Sequence, residues 1–174
     1  DEVTRRDTQS AILRAKTAGL DPAMLLDRWD DTAKITYDRT IWNELCPLRF
    51  VDAPNDVVIL GPVGVGKSMV AQALGHAACR RGLTVAFTKT SRLLADLAGG
   101  HADRTWETRL RRWARPVVLI LDDFAIRDFT LSQADDLYEL IGERAAAGRP
   151  AIFTANRKSE DWYPLFPNPV VAES

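Results

Sequence analysis

The run Gly61-Pro62-Val63-Gly64-Val65-Gly66-Lys67-Ser68 constrains this chain more than any other stretch. An apolar tetrapeptide, Val57-Val58-Ile59-Leu60, precedes it, and an alanine-rich segment with helical spacing follows it. Strand, glycine-rich loop and helix start, in that order, form the setting of a phosphate-binding P-loop. Successive backbone N–H groups in such a loop point inward at phosphate oxygens, and the helix N-terminus adds partial positive charge. Glycines 61, 64 and 66 admit backbone angles and close approaches that a side chain would block. The expected nucleotide-binding stretch is Gly61, Pro62, Val63, Gly64, Val65, Gly66, Lys67, Ser68 and Met69. Within it, Lys67 can reach the β- and γ-phosphates, and the Ser68 hydroxyl can ligate Mg²⁺.

A second site agrees with the first. Val117-Val118-Leu119-Ile120-Leu121 reads as a strand buried on both faces of a parallel sheet, and it ends in Asp122-Asp123. Paired carboxylates there read as a Walker B element. Asp122 is expected to hold the hydrated Mg²⁺, and Asp123 to orient or deprotonate the attacking water. A third short apolar run, residues 151–155, leads into Asn156. A polar side chain there could hydrogen-bond the γ-phosphate or the lytic water. The expected catalytic set is therefore Lys67, Asp123 and Asn156, the metal ligands are Ser68 and Asp122, and the cofactors are ATP or ADP with Mg²⁺.

The chain's 174 residues suit about one domain with a sizeable core, and its net charge of −1 does not announce a nucleic-acid binder. No stretch approaches the ~20 apolar residues of a membrane span, and no signal peptide opens the chain. Cys46 and Cys79 match no metal spacing and read as reduced thiols, so a cytoplasmic location is expected. His76 and His101 have no metal-ligand spacing either.

Residues 1–29 are expected to be helical, with a break at Asp21-Pro22 and a short second helix over 22–29. A further helical pattern covers 40–45, and a proline-punctuated link leads to the P-loop strand. From residue 56 the order is strand, helix, strand, helix, helix, strand, helix, strand. The helix after Lys67 buries Val70, Leu74, Ala77 and Ala78 and stops at Gly82. The second strand covers 84–88, and a short helix over 91–97 is expected to stop at Gly99-Gly100. Ser132 is the expected N-cap of the helix that runs to Gly148. This alternation predicts an α/β fold, a parallel, doubly wound sheet covered on both faces, preceded by short N-terminal helices.

Residues 101–115 form a predicted amphipathic helix. Trp106, Leu110 and Trp113 fall on one stripe, and Arg104, Arg111, Arg112 and Arg115 on the opposite side. Two readings stand: a solvated surface helix, or a surface that contacts the phosphate backbone of nucleic acid.

The ordered set GPVGVGKS, LILDDF and FTAN resembles the AAA+ ATPases. The phrases Leu48-Arg49-Phe50-Val51, Ala71 to Arg80, Leu93 to Leu97, Leu110 to Pro116 and Phe166 to Val171 narrow the resemblance. It is to the IstB-like transposition helpers of bacterial insertion sequences and the related DnaC-type helicase loaders. The resemblance implies a three-layer αβα P-loop NTPase core over residues 51–174, after a helical segment, residues 1–50, for DNA or partner contact. It also implies an extra DNA-facing helix between the second and third strands, where the arginine segment lies. It further implies duplex DNA, the transposase of the same element and self-association into a ring or helical oligomer as partners. ATP hydrolysis would drive disassembly. Two departures stand out. Many relatives carry Glu at the position of Asp123, so turnover is expected to be slow. The arginine finger and helical lid of the family are expected beyond Ser174. Two other activities fit the nucleotide motifs: delivery of a replicative helicase, and phosphoryl transfer to a small molecule.

Overall fold

The computed structural model describes residues 2–28 and 38–167. Helix α1 (Glu2–Ala18) opens the chain, followed by a 3-10 turn at Leu26–Arg28. Helices α2 (Arg39–Leu45) and α3 (Arg49–Asp52) lead to strand β1 (Val57–Leu60). Then come α4 (Lys67–Arg80), β2 (Val85–Lys89), α5 (Thr90–Asp103), α6 (Trp106–Ala114) and β3 (Val118–Phe124). Helix α7 (Leu131–Ala146), β4 (Ala151–Ala155) and a 3-10 segment, Ser159–Leu165, complete the order.

The four strands form one sheet in the order β1-β4-β3-β2, and every pairing is parallel. Side chains alternate between the faces of a strand, so one apolar run feeds two cores. Leu119, Leu121 and Phe153 pack with α5, α6 and α7 on one face. Val118, Ile120 and Ile152 pack with Ala15, Ala18, Leu74 and Ala78 of α1 and α4 on the other. This is the expected αβα layering, with one departure. The central strands are covered on both faces, but β1 is an edge strand whose Val58 and Leu60 stay 41% and 44% exposed.

Helix α4 ends as its sequence predicts. Gly82 has φ +91°, its N–H donates to the Cys79 carbonyl, and the Leu83 N–H reaches back to Ala78. That is the two-bond Schellman stop. Three other boundaries differ from expectation. The expected helix over 22–29 is only the 3-10 turn, because the Asp21 carboxylate accepts the Ala23 N–H and starts a tight turn instead. Trp29 lies outside the described residues, as do Asn168 to Val171 of the C-terminal phrase. Helix α7 is capped by Thr130, not Ser132. The Thr130 hydroxyl accepts the Gln133 N–H, and the Gln133 side chain accepts the Thr130 N–H, a complete capping box.

The third difference is the largest. Gly99 and Gly100 do not stop a helix; α5 continues through them to Asp103. The chain then turns at Arg104, which takes the left-handed conformation (φ 62°), and α6 folds back on α5. The predicted single helix over 101–115 is thus the end of one helix, a turn and a second helix. The glycines serve the close approach of the two. A Cβ on Gly100 would stand 2.7 Å from the Trp106 Cα, and one on Gly99 would stand 2.9 Å from an Arg109 guanidinium nitrogen.

Arg144 locks this hairpin to α7. Its guanidinium is buried and donates to the carbonyls of Trp113, Ala114, Pro116, Val117 and Pro150 at 2.8–3.2 Å. Two of those carbonyls belong to the last turn of α6, where backbone acceptors have no partner within the helix. Burial pulls the Arg144 pKa down to about 10, against the opposing pull of Asp56 and with a further push from Arg149.

Gly100→Ala is expected to destabilise the protein by about 1–3 kcal/mol, because backbone must move to admit the methyl. Gly142→Ala, in α7 with nothing within 4 Å of the added carbon, is expected to stabilise it by up to about 1 kcal/mol. Urea unfolding of the two variants checks the opposite signs.

Candidate nucleotide site

The C-terminal ends of β1, β3 and β4 lie side by side, and the sequence motifs converge there. Leu60 pairs with Ala155, and the Gly61 N–H donates to the Ala155 carbonyl at 3.3 Å. The P-loop and Asn156 are therefore neighbours. A Cβ on Gly61 would meet the Val65 side chain at 2.9 Å, so the loop would have to shift there to admit any other residue. Gly64 and Gly66 have φ of +85° and +89°. Val63, at the tip, is 84% exposed.

Gly66 is the N-cap of α4 and offers no side chain to the helix start. The first-turn N–H groups of α4 thus lack a capping side chain and carry the positive end of a 14-residue helix. An anion is the natural partner for such a terminus. Lys67 folds back across the loop, its Nζ donating to the Pro62 carbonyl at 2.7 Å.

Asp122 is the hub of the site. It is buried, and two hydroxyls converge on its Oδ1: Ser68 from α4 and Thr154 from β4, each at 2.6 Å. Its backbone carbonyl accepts the hydroxyl of Thr90, the first residue of α5. The pairing of β3 with β4 slips here. Leu121 faces Phe153 and Phe124 faces Ala155, so Asp122 and Asp123 together stand opposite Thr154. This is a β-bulge. Asp123 takes φ 57° within it, and its N–H donates to the Thr154 hydroxyl at 3.0 Å. The Asp123 carboxylate turns toward solvent and accepts from the Lys89 Nζ, at the end of β2, at 2.5 Å. That bond and the Asp123 charge raise the Lys89 pKa above its ordinary value.

The structure therefore brings Lys67, Ser68, Asp122 and Asp123 to one end of the sheet. Asn156 stands just past β4, exposed, with no side-chain hydrogen bond among the described residues. Thr154, Lys89 and Thr90 are the site residues that sequence reasoning missed. Thr154 interrupts an apolar strand with a hydroxyl, and that was a readable signal; the contacts of Lys89 and Thr90 are tertiary. The oxygen donors fit a hard divalent cation. Among the described residues no three His, Cys, Asp or Glu side chains gather into a metal cage. A hydroxyl and one carboxylate suit Mg²⁺, which keeps waters and takes phosphate oxygens as its other ligands.

The arginine segment divides into two groups. Arg109 is structural: it grips Thr105, Asp96 and Asp103 at 2.6–3.0 Å. Arg112 shares Asp96 with the Trp113 indole, and Arg111 pairs with Glu107 at 3.1 Å. Arg104 and Arg115 are exposed, and their side chains have no partner among the described residues. Trp106 and Trp113 lie against the core as predicted, each tied by its indole N–H to a carboxylate, Asp136 and Asp96 respectively.

The comparisons with known proteins decide the family. The profile of the IstB-like ATP-binding proteins matches residues 1–174, the whole chain. The chain belongs to that family. It is 52% identical over its full length to an insertion-sequence ATP-binding protein of Mycobacterium tuberculosis, and spans 69% of that relative. It is 33% identical over 159 residues to the IS21 ATP-binding protein of Pseudomonas aeruginosa, where it spans 60% of the relative and 91% of itself is covered. Among solved structures, AMPPCP-bound DnaA from Aquifex aeolicus superimposes with a TM-score of 0.74 at 16% identity, over 88% of this chain and 48% of that one. The DnaC helicase loader superimposes with a TM-score of 0.66 at 21% identity, over 82% and 88%. At these identities the likeness is one of fold, and it agrees with the predicted α/β core built on a parallel sheet.

Asp96 anchors α6 to α5. Burial alone would raise its carboxyl, but the Trp113 and Arg112 hydrogen bonds and the Arg112 and Arg109 charges hold it below the ordinary carboxylate range. A depressed carboxyl contributes stability above its unfolded value, about 3.9, and loses it as the pH falls through the folded value. Asp96→Asn is therefore expected to be less stable than the parent at neutral pH, and the gap should narrow as the pH falls from the unfolded value through the depressed folded one. Urea midpoints measured across that range check it.

Proposed function

We propose that this chain is the ATPase core of a transposition helper, which binds ATP with Mg²⁺, assembles on duplex DNA and recruits or stimulates the transposase of its element. The observation that carries the nucleotide reading is the uncapped N-terminus of α4 beside an Asp122 carboxylate that two hydroxyls orient. The assembly reading rests on family membership and on the insertion-sequence relatives. A solved DnaA of the same fold is bound to AMPPCP and single-stranded DNA, which supports nucleic acid as a partner class.

In this reading the stretch from Gly61 to Met69 wraps the phosphates, with the backbone N–H groups from Val63 onward facing them, and Lys67 would leave the Pro62 carbonyl for the β- and γ-phosphate oxygens. Ser68 and Asp122 would hold Mg²⁺, which supplies charge neutralisation at the transferring phosphoryl group. Asp123 orients the attacking water, and Asn156 contacts that water or the γ-phosphate. The Lys89–Asp123 pair engages one carboxylate oxygen, Oδ2, and leaves Oδ1 to address water. Residues 51–174 form the core, and residues 1–50 serve DNA or partner contact. The protein forms a ring or helical oligomer, and hydrolysis drives its disassembly. A role that needs both ATP and DNA is cytoplasmic.

Lys67→Ala is expected to abolish tight ATP binding, since the loop loses its only side-chain cation. Asp123→Asn is expected to retain binding and lose turnover, because Ser68 and Asp122 remain. Nucleotide titration with a phosphate-release assay separates the two, and loss of binding in Asp123→Asn would overturn the division of roles.

The arginine surface gives a second test. Arg104, Arg111, Arg112 and Arg115 form the proposed phosphate-binding group, and Arg104 and Arg115 are the two whose side chains have no partner among the described residues. Replacing that pair by Ala should weaken duplex binding without sequence preference. It should also reduce the slope of log affinity against log salt by about 0.9 for each phosphate no longer neutralised. Equal slopes for parent and variant in the full-length protein would remove these two side chains from the DNA surface.

A further inference from the structure

Thr154 is fully buried on β4, within an otherwise apolar strand. A valine would fill the same space, so the hydroxyl needs a reason. The bulge supplies one. Two residues of β3 stand opposite Thr154 alone, and the bulge breaks the regular ladder where the two carboxylates lie. The Asp123 N–H finds its acceptor in the Thr154 hydroxyl at 3.0 Å. The same hydroxyl donates to Asp122 Oδ1 at 2.6 Å. One oxygen thus accepts from the backbone of one carboxylate residue and donates to the side chain of the other. Each bond fixes the direction of the other, because a hydroxyl that accepts from Asp123 has its single proton free for Asp122.

Asp123 depends on this bond more than an ordinary residue would. It holds a left-handed backbone, unusual for a residue with a side chain and sparsely populated without support. Asp122 depends on it too. Ser68 and Thr154 converge on Oδ1 from opposite elements, α4 and β4, and set the plane of the carboxylate.

We propose that Thr154 is a positioning residue for both carboxylates: its hydroxyl fixes the Asp122 carboxylate as a metal ligand and holds Asp123 in the bulge from which it can address water. This inference rests on the nucleotide reading above and adds a residue to it. In this reading Thr154 acts through the two aspartates.

The test compares Thr154→Val, which keeps the shape and loses the hydroxyl, with Thr154→Ser, which keeps the hydroxyl, in the full-length protein. Three readouts are needed: amide hydrogen exchange at Asp123 without ligand, ADP affinity in EDTA and in Mg²⁺, and ATP turnover. In Thr154→Val the Asp123 amide is expected to exchange about tenfold faster or more, since its acceptor is gone. ADP affinity in EDTA stays at the parent value, and the tightening by Mg²⁺ and the turnover each fall about tenfold or more. Thr154→Ser restores all three.

Unchanged Asp123 exchange in Thr154→Val, or a loss of turnover with the Mg²⁺ tightening intact, would overturn the proposal and leave Thr154 as a packing residue. If Thr154→Val does not fold, the parent and Thr154→Ser decide. An Asp123 amide that exchanges at the rate of an open loop in either protein overturns the proposal, and a protected amide in both supports it. A parent that neither binds ADP nor turns over ATP would sink the nucleotide reading instead, and the exchange measurement would still report on the Thr154 bond.

Discussion

Asp122 is the point at which the separate parts of this molecule meet. Its carboxylate receives hydroxyls from α4 and β4, its carbonyl receives one from α5, and its backbone belongs to β3. Helix, two strands and the start of the second helical layer are thereby fixed relative to one buried oxygen pair. A buried carboxylate is costly unless its hydrogen bonds are made. The same bonds that make it tolerable also aim it at the mouth of the P-loop. Structural satisfaction and chemical readiness are one arrangement here.

The β2–α5 junction touches both members of the aspartate pair, through neighbouring residues. Lys89 holds the Asp123 side chain, and Thr90 holds the Asp122 backbone. Helix α5 begins there and, at its far end, turns into α6. Helix α5 thus runs from the nucleotide site to the turn at Arg104, where the arginine segment begins and folds back along it. The packing is tight where the glycines meet α6, and the two tryptophans are pinned by buried or half-buried carboxylates.

Much of this was legible beforehand. The P-loop, the aspartate pair at the end of β3 and the alternation of strands and helices follow from local pattern, because phosphate cradles and parallel strands leave strong periodic signatures. What was not legible depends on partners distant in sequence. Gly99-Gly100 read as a stop because glycine disfavours helix on its own, yet the packing of α6 against α5 overrides that preference. The four arginines read as one face, but Arg112 is tied to Asp96, sixteen residues away in the chain. The bulge at Asp122 and Asp123 could not be seen either, since it exists only in the register between β3 and β4. The edge position of β1, which leaves Val58 and Leu60 exposed, is likewise a matter of strand order.

The Arg144 clamp has a consequence for how this fold can vary. A planar guanidinium presents its donors in a fixed fork, and here that fork reaches five carbonyls from two stretches of chain. Lysine has three donors on a point charge and cannot span them. A neutral side chain would leave the acceptors facing an apolar wall. The position therefore has no conservative neighbour in sequence space: lysine, which could replace the exposed Arg115 without losing a contact among the described residues, cannot replace the arginine beneath it.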